Sequence, residues 1–121
     1  MRKNRLATKS ETLMPGIDYA AVRRAIPMRR VLELLGYEAS RWRGDRLRGW
    51  CPLQRTCSRE SFRVDLGDNL FHCFSCGAGG NQLDLWAAFH DLALHSAAER
   101  LCHAAGIAVP WLNQSDAIRN H

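Results

Sequence analysis

An α+β domain, with helices on both sequence sides of a small antiparallel sheet, is predicted from three observations. Residues 17–36 carry apolar side chains at helical spacing. Residues 41–73 change to strand-like alternation, broken by Gly-Asp and Gly-Asp-Asn turn signals. From Asn81 onward the helical period returns, with cap residues ahead of it. The 121 residues have room for one such domain plus tails.

Residues 1–16 predict a basic, flexible arm ending at Pro15-Gly16. Asp18 is placed to cap a short helix over "YAAVRRA". In "PMRRVLELLGY", Pro27 suits a first helical position and Gly36 an exit, while Met28, Val31, Leu32 and Leu35 share one face. Gly44-Asp45 then separates two short strands. Gly67-Asp68-Asn69 separates "SFRVDL" from "NLFHCF", with Phe62, Val64 and Leu66 on one face. The run Gly77-Ala78-Gly79-Gly80 predicts a turn. Asn81 caps a helix in which Trp86 and Phe89 are core residues. Ser96 with Glu99 forms a capping box ahead of a last helix that ends at Gly106 and buries Ala98, Leu101, Cys102 and Ala105. The folded domain is thus expected over 17–107 and a polar tail over 108–121, with no internal repeat.

The net charge of +5 is unevenly spread. Residues 1–66 carry 15 basic and 7 acidic side chains, and residues 67–121 carry 2 and 5. Of the 17 basic residues 15 are arginine, whose planar fork suits phosphates and bases. No apolar stretch reaches the 18 or more residues of a membrane span, and the basic start lacks the apolar core of a secretory signal. A cytoplasmic protein without membrane contact is expected. Five cysteines, an odd number without a secretory signal, argue for reduced thiols rather than a disulfide framework.

Four of those thiols, Cys51, Cys57, Cys73 and Cys76, are spaced C-x5-C-x15-C-x2-C. Two pairs on two turns joined by a strand-turn-strand are the usual presentation of one structural Zn2+. Buried packing cysteines and a redox pair fit less well, since polar residues flank the thiols and no βαβ pattern surrounds them. For the remaining ligand position, His72 is next to Cys73 on a strand and faces the other way. Gln54 offers only a neutral amide. His90, His95 and His103 fall on later helices. Cys57 is the best choice, although its five-residue gap makes a wide loop, and Cys102 belongs to a helical core face.

The runs "LRGWCPL", "SF-V", "FHCFSCGAGGN-LDL" and "AAERLCHAAGI" resemble the N-terminal zinc-binding domain of DnaG-type bacterial primases over Ile26 to Ile107. In that family the first ligand pair is C-P-x-H. Here Gln54 stands where the histidine belongs, and Cys57 is the natural compensation. The resemblance implies a zinc ribbon packed by helices, and recognition of single-stranded template DNA for primer synthesis. The family's polymerising domain is separate, larger and rich in acidic ligands, and the chain ends soon after the match. The expectation is therefore a module that is not itself an enzyme and has no small-molecule substrate.

Single strands are held by basic grooves lined with aromatic faces. Arg41, Arg43, Arg46, Arg48 and Trp50 interleave the two types, with Trp42 among them. Arg55, Arg59 and Arg63 extend the charge, and Phe71, His72 and Phe74 bring rings to the second cysteine pair. Alternation puts Arg46 and Arg48 on one face and Leu47 on the other. Phe62 is expected in the core. The leading reading is a single-stranded-DNA-binding accessory to a separate replication or mobile-element enzyme. The alternative is an adaptor that docks a polymerase, helicase or recombinase. A zinc hydrolase is ranked last, because four cysteine ligands close the metal.

Overall fold

The computed structural model describes residues 16–112, so most of the expected arm and the last part of the tail lie outside the described residues. Two helices, α1 (Tyr19–Ala25) and α2 (Met28–Leu35), precede five strands: β1 (Arg41–Arg43), β2 (Arg46–Gly49), β3 (Phe62–Asp65), β4 (Leu70–Cys73) and β5 (Gly79–Gly80). Helices α3 (Gln82–His90) and α4 (Leu94–Ala105) follow. The strands form one antiparallel sheet in sequence order. The predicted α+β class, with helices on both sequence sides of the sheet, is what the chain adopts.

Local chemistry sets most boundaries. The Asp18 carboxylate accepts the Ala21 N–H at 3.1 Å and starts α1. Pro27 sits just before α2 rather than inside it, and has no side-chain cap to offer. The Met28 N–H is taken instead by the Asn69 side chain at 2.8 Å, from the β3–β4 turn. Gly36 and Gly106 end their helices in the left-handed region, with φ of 73° and 75°. Asn81 accepts from the Leu83 and Asp84 N–H groups while Asp84 accepts from Asn81, a closed capping box at the start of α3.

Besides Pro27, three more expectations for the helices and turns differ from the structure. Gly79-Gly80 is not turn but strand, pairing with Phe71 and His72. Its lack of side chains is what allows that pairing, because a Cβ on Gly79 would meet the His72 ring at 3.0 Å and one on Gly80 would overlap Asp84. Ser96 caps nothing. Helix α4 begins two residues earlier, and Glu99 pairs with His95 at 3.6 Å. Phe89 is exposed rather than core. It lies in the last turn of α3 and meets His90 edge-on at 5.0 Å.

The sheet has two unlike faces. Leu47, Val64 and Phe71 lie opposite one another on β2, β3 and β4 and point inward, as do Phe62 and Cys73. They pack with Val22, Ile26, Met28, Val31, Leu83 and Leu101 into one buried cluster. Tyr37, Phe62 and Phe71 form a chain of rings at 5.3 and 5.7 Å. Beyond α4 the chain returns to its beginning. The Asp18 N–H bonds the Pro110 carbonyl at 2.8 Å, the Leu112 N–H bonds that of Gly16 at 2.7 Å, and Trp111 bridges Ile17.

Gln82 is the most deeply buried polar side chain among the described residues. Its buried side-chain amide donates to the carbonyls of Arg23 at 2.9 Å and Ile26 at 3.1 Å, tying α3 to the exit of α1. Gln82→Leu keeps the bulk and strands both carbonyls, and should lower the unfolding free energy by about 1–3 kcal/mol. Gln82→Glu aims a carboxylate at the same oxygens and should be worse at neutral pH. Burial raises the pKa of such a carboxyl, so part of the loss should return just below neutrality, when it regains a proton to donate. Denaturant melts of the zinc-loaded protein measure both.

Candidate metal centre and sheet surface

The two cysteine loops leave the same end of the sheet. Cys51 follows β2, Cys57 closes a turn through its N–H to the Gln54 carbonyl at 3.3 Å, and Cys73 ends β4. Past Cys73 the chain doubles back: the Gly77 N–H reaches the Cys73 carbonyl at 2.9 Å, and the Cys73 N–H reaches that of Ala78 at 2.8 Å. This brings Cys76 over Cys73. The Ser58 N–H bonds the Ser75 hydroxyl at 3.2 Å and the Phe74 N–H bonds the Ser61 carbonyl at 2.9 Å, which clamps the loops together.

The result is a closed cluster. The sulfurs of Cys51, Cys57, Cys73 and Cys76 all lie within 4.8 Å of one another, with Cys57 and Cys73 at 3.6 Å. A tetrahedron with zinc–sulfur bonds of about 2.3 Å has edges of about 3.8 Å, so one zinc ion fits this set. Backbone N–H groups support the thiolates, with Leu53 pointing at Cys51 and Cys76 at Cys73, both at 3.4 Å. The Ser61 hydroxyl adds a contact to Cys73 at 3.3 Å. Burial alone would raise the Cys73 thiol. The N–H of Cys76, the Ser61 hydroxyl and the N–H of Ser75 outweigh it and bring the value down to about 6. Burial, and then the neighbouring Cys73, push Cys57 up to about 12. Four sulfurs this close cannot all ionise without a cation among them, and zinc supplies that charge.

Each candidate ligand can now be placed. Cys57 joins the cluster, whereas Gln54 is exposed and offers its backbone carbonyl to the turn. His72 points to the opposite face from Cys73, as the alternation predicts. Cys102 is fully buried in α4. Ser61 and Ser75 lie in runs that carry the family resemblance, but no role for either was legible in the sequence, because it depends on two loops meeting.

The outer face of the sheet is a cationic surface. Arg41, Arg48, Arg63, His72 and Gly79 lie opposite one another across all five strands, and Arg43, Arg46, Asp65 and Leu70 form the next row. Much of this face forms a shallow basin of about 630 Å³. Arg41 pairs with Glu60 at 3.3 Å and Arg46 with Asp65 at 4.0 Å. Among the described residues Arg43, Arg48, Arg55, Arg59 and Arg63 have no acidic partner. Arg63 lies over the exposed Phe74 ring at 4.8 Å and Arg59 over the exposed Trp50 ring at 5.4 Å. Phe74 and His72 meet edge-on at 4.4 Å. Phe71 does not belong to this surface. Alternation on β4 turns its ring into the core, where it is 4% exposed.

The CHC2 zinc finger family matches residues 20–117. A DNA primase from Geobacillus stearothermophilus is 32% identical over 95 residues, covering 78% of this chain and 15% of its own length. A DNA primase from Pseudomonas putida is 38% identical over 60 residues, covering 50% of this chain and 9% of its own. The crystal structure of the Aquifex aeolicus primase zinc-binding and RNA polymerase domains superposes with a TM-score of 0.62 at 28% identity, over 77% of this chain and 22% of that one. The chain therefore spans a small part of these relatives, the part that holds the zinc finger. Among the described residues no helix is long and apolar enough to cross a membrane.

If Cys57 is the fourth ligand, Cys57→Ser should lose zinc to a chelator and unfold the ribbon, since about 10–16 kcal/mol of zinc binding in such sites is folding energy. Gln54→Ala should keep one zinc per chain. Pairing Cys57→Ser with Gln54→His restores the C-x-x-H spacing and should recover metal that Cys57→Ser alone has lost. Metal analysis after dialysis against chelator, followed by circular dichroism, reads all three.

Proposed function

This chain belongs to the CHC2 zinc finger family of primase zinc-binding domains, and from that membership we propose that it holds single-stranded DNA on the outer face of its sheet. The observation that carries this reading is the row of Arg41, Arg48, Arg63 and His72 across the strands, with the exposed Phe74 beside it. Arginines neutralise phosphates, and exposed rings stack unpaired bases that a duplex would keep covered. Zinc is structural here. With four thiolates it has no open position for substrate, and its task is to hold β2, β3 and β4 so that the row stays in register.

In this reading the residues divide the work. Arg48 and Arg63, opposite one another at the centre of the face, hold the backbone. Phe74 and Trp50, each beneath an arginine, offer ring faces once the guanidinium turns to a phosphate. Arg55 and Arg59, on the first cysteine loop, continue the charge past the metal. Primer synthesis would fall to a separate polymerising enzyme, of chromosomal replication or of a mobile element, that this module serves in the cytoplasm. A second reading, an adaptor that docks such an enzyme through protein contacts, draws on the exposed Phe89, Leu94, Trp111 and Leu112 of the helical half.

Affinity for a single-stranded oligonucleotide should exceed that for duplex and fall steeply with salt. Each phosphate contact removed should reduce the log–log salt slope by about 0.7, so Arg48→Ala with Arg63→Ala should reduce it by about 1.4 with zinc retained. Fluorescence anisotropy at several salt concentrations measures this, and unchanged affinity in that double variant would favour the adaptor. Nucleotide incorporation by the purified chain on a single-stranded template should be nil.

A further inference from the structure

The sheet ends at β1, and among the described residues nothing pairs with its outer side. Arg43 and Arg46 flank the two-residue loop and so form the hydrogen-bonded pair of the hairpin. Trp42, opposite Leu47, therefore turns its N–H and C=O away from β2, toward an empty strand position. Its side chain falls on the inner face, yet β1 overhangs the helix layer and leaves the ring 60% exposed. Behind it a groove of about 210 Å³ is lined by Leu32, Ala39, Leu47 and Leu66, with Arg29 and Glu33 also on its wall. Small-molecule sites run from about 300 to 1,000 Å³, so this groove suits one apolar side chain rather than a ligand.

We propose that the β1 edge and this groove take an extended peptide segment of a partner protein, with acidic residues on either side of one apolar residue. Paired antiparallel to β1, the apolar residue lies opposite Trp42 and seats its side chain over the groove. Its two neighbours then stand opposite Arg43 and Arg41 on the outer face, where opposite charges across a strand pair attract. Arg41 already touches Glu60, but at 70% side-chain exposure that contact exchanges readily with a better-placed carboxylate.

The charge pattern selects this occupant over others. A second copy of the chain, paired antiparallel through the same edge, would set Arg41 of each copy opposite Arg43 of the other, and like charges directly opposite repel. Edge strands bearing such charges resist self-association. Nucleic acid has no alternating N–H and C=O groups to satisfy those of Trp42. The proposal shares Arg41 with the DNA reading, but it stands on the β1 edge, Trp42 and the groove, whereas that reading is centred on Arg48, Arg63, His72 and Phe74 at the middle and far side of the sheet.

The probe is a capped heptapeptide of alternating glutamate and valine, titrated into the full-length zinc-loaded chain and followed by calorimetry and amide NMR. Saturable one-to-one binding is expected, with the largest shifts at residues 41–43 and the Trp42 indole. Trp42→Ala, at an exposed position that leaves the core intact, should weaken it at least tenfold without loss of zinc. The same peptide N-methylated at its valines, whose N–H groups would face β1, cannot form the ladder and should not bind to the unaltered protein, and a lysine–valine peptide should not either. An all-glutamate peptide that binds equally well, or shifts centred on Arg48, Arg63 and His72, would reduce the effect to a polyanion on the cationic face. Absence of binding, equal binding of the N-methylated peptide, or a dimer through β1 in sedimentation would each overturn the proposal.

Discussion

Four sulfurs drawn within 4.8 Å of one another set the constraint to which the rest of the domain conforms. They come from the ends of β2 and β4 and from the loops beyond them, so satisfying the cluster fixes where β2 and β4 stop and where β3 starts. The register follows, because Gly49, Phe62 and Cys73 must lie opposite one another for the loops to meet. The strands are only two to four residues long, and a metal held by the four thiols adds its binding energy to the burial that holds them. The core in turn shields the thiolates. Cys51, Cys57 and Cys73 lie within the same buried cluster as Phe62 and Leu101.

A slip of one residue between strands would exchange the two faces of the sheet. It would bury Arg48, Arg63 and His72 and expose Leu47, Val64 and Phe71. The cationic face is thus held in place by the penalty of burying it as much as by the metal. Arg48 and Arg63 stand directly opposite one another despite their like charge. Such a pair is tolerated at low stability cost only where water or an anion lies over it, and that arrangement is one an anionic ligand relieves.

Much of this was legible because short-range patterns dominate it. The apolar spacing of Met28, Val31 and Leu32, the Asn81 cap and the alternation of Phe62 and Val64 are each decided within a few residues. The cysteine spacing pointed, for the same reason, to the four thiols that the fold brings together. What escaped depends on distant partners. Gly79-Gly80 has poor strand propensity and becomes strand because β4 presents an unpaired ladder that only side-chain-free residues can approach past His72 and Asp84. Ser96 has the chemistry of a cap, but α4 starts at Leu94, a short link after α3, before that chemistry can act. Phe71 was read as a surface ring from its neighbours, although the alternation that exposed His72 and buried Cys73 required it to face inward. Nothing local marked the contacts of Gln82 or Ser61, since their partners lie 56–59 and 12 positions away.

The Gln82 amide also sets an order of events in time. Helices α1 and α2 are synthesised first, yet the carbonyls at the exit of α1 are satisfied by a side chain 59 and 56 positions later, and the first N–H of α2 by Asn69, 41 positions later. At about 5–20 residues per second, translation alone keeps α1 waiting roughly 3–12 s for Gln82. Helices of 7 and 8 residues are too short to persist alone in water over that interval. Over that interval α1 and α2 lack the long-range hydrogen bonds that satisfy their ends, and they gain them only once Asn69 and Gln82 have been added to the chain.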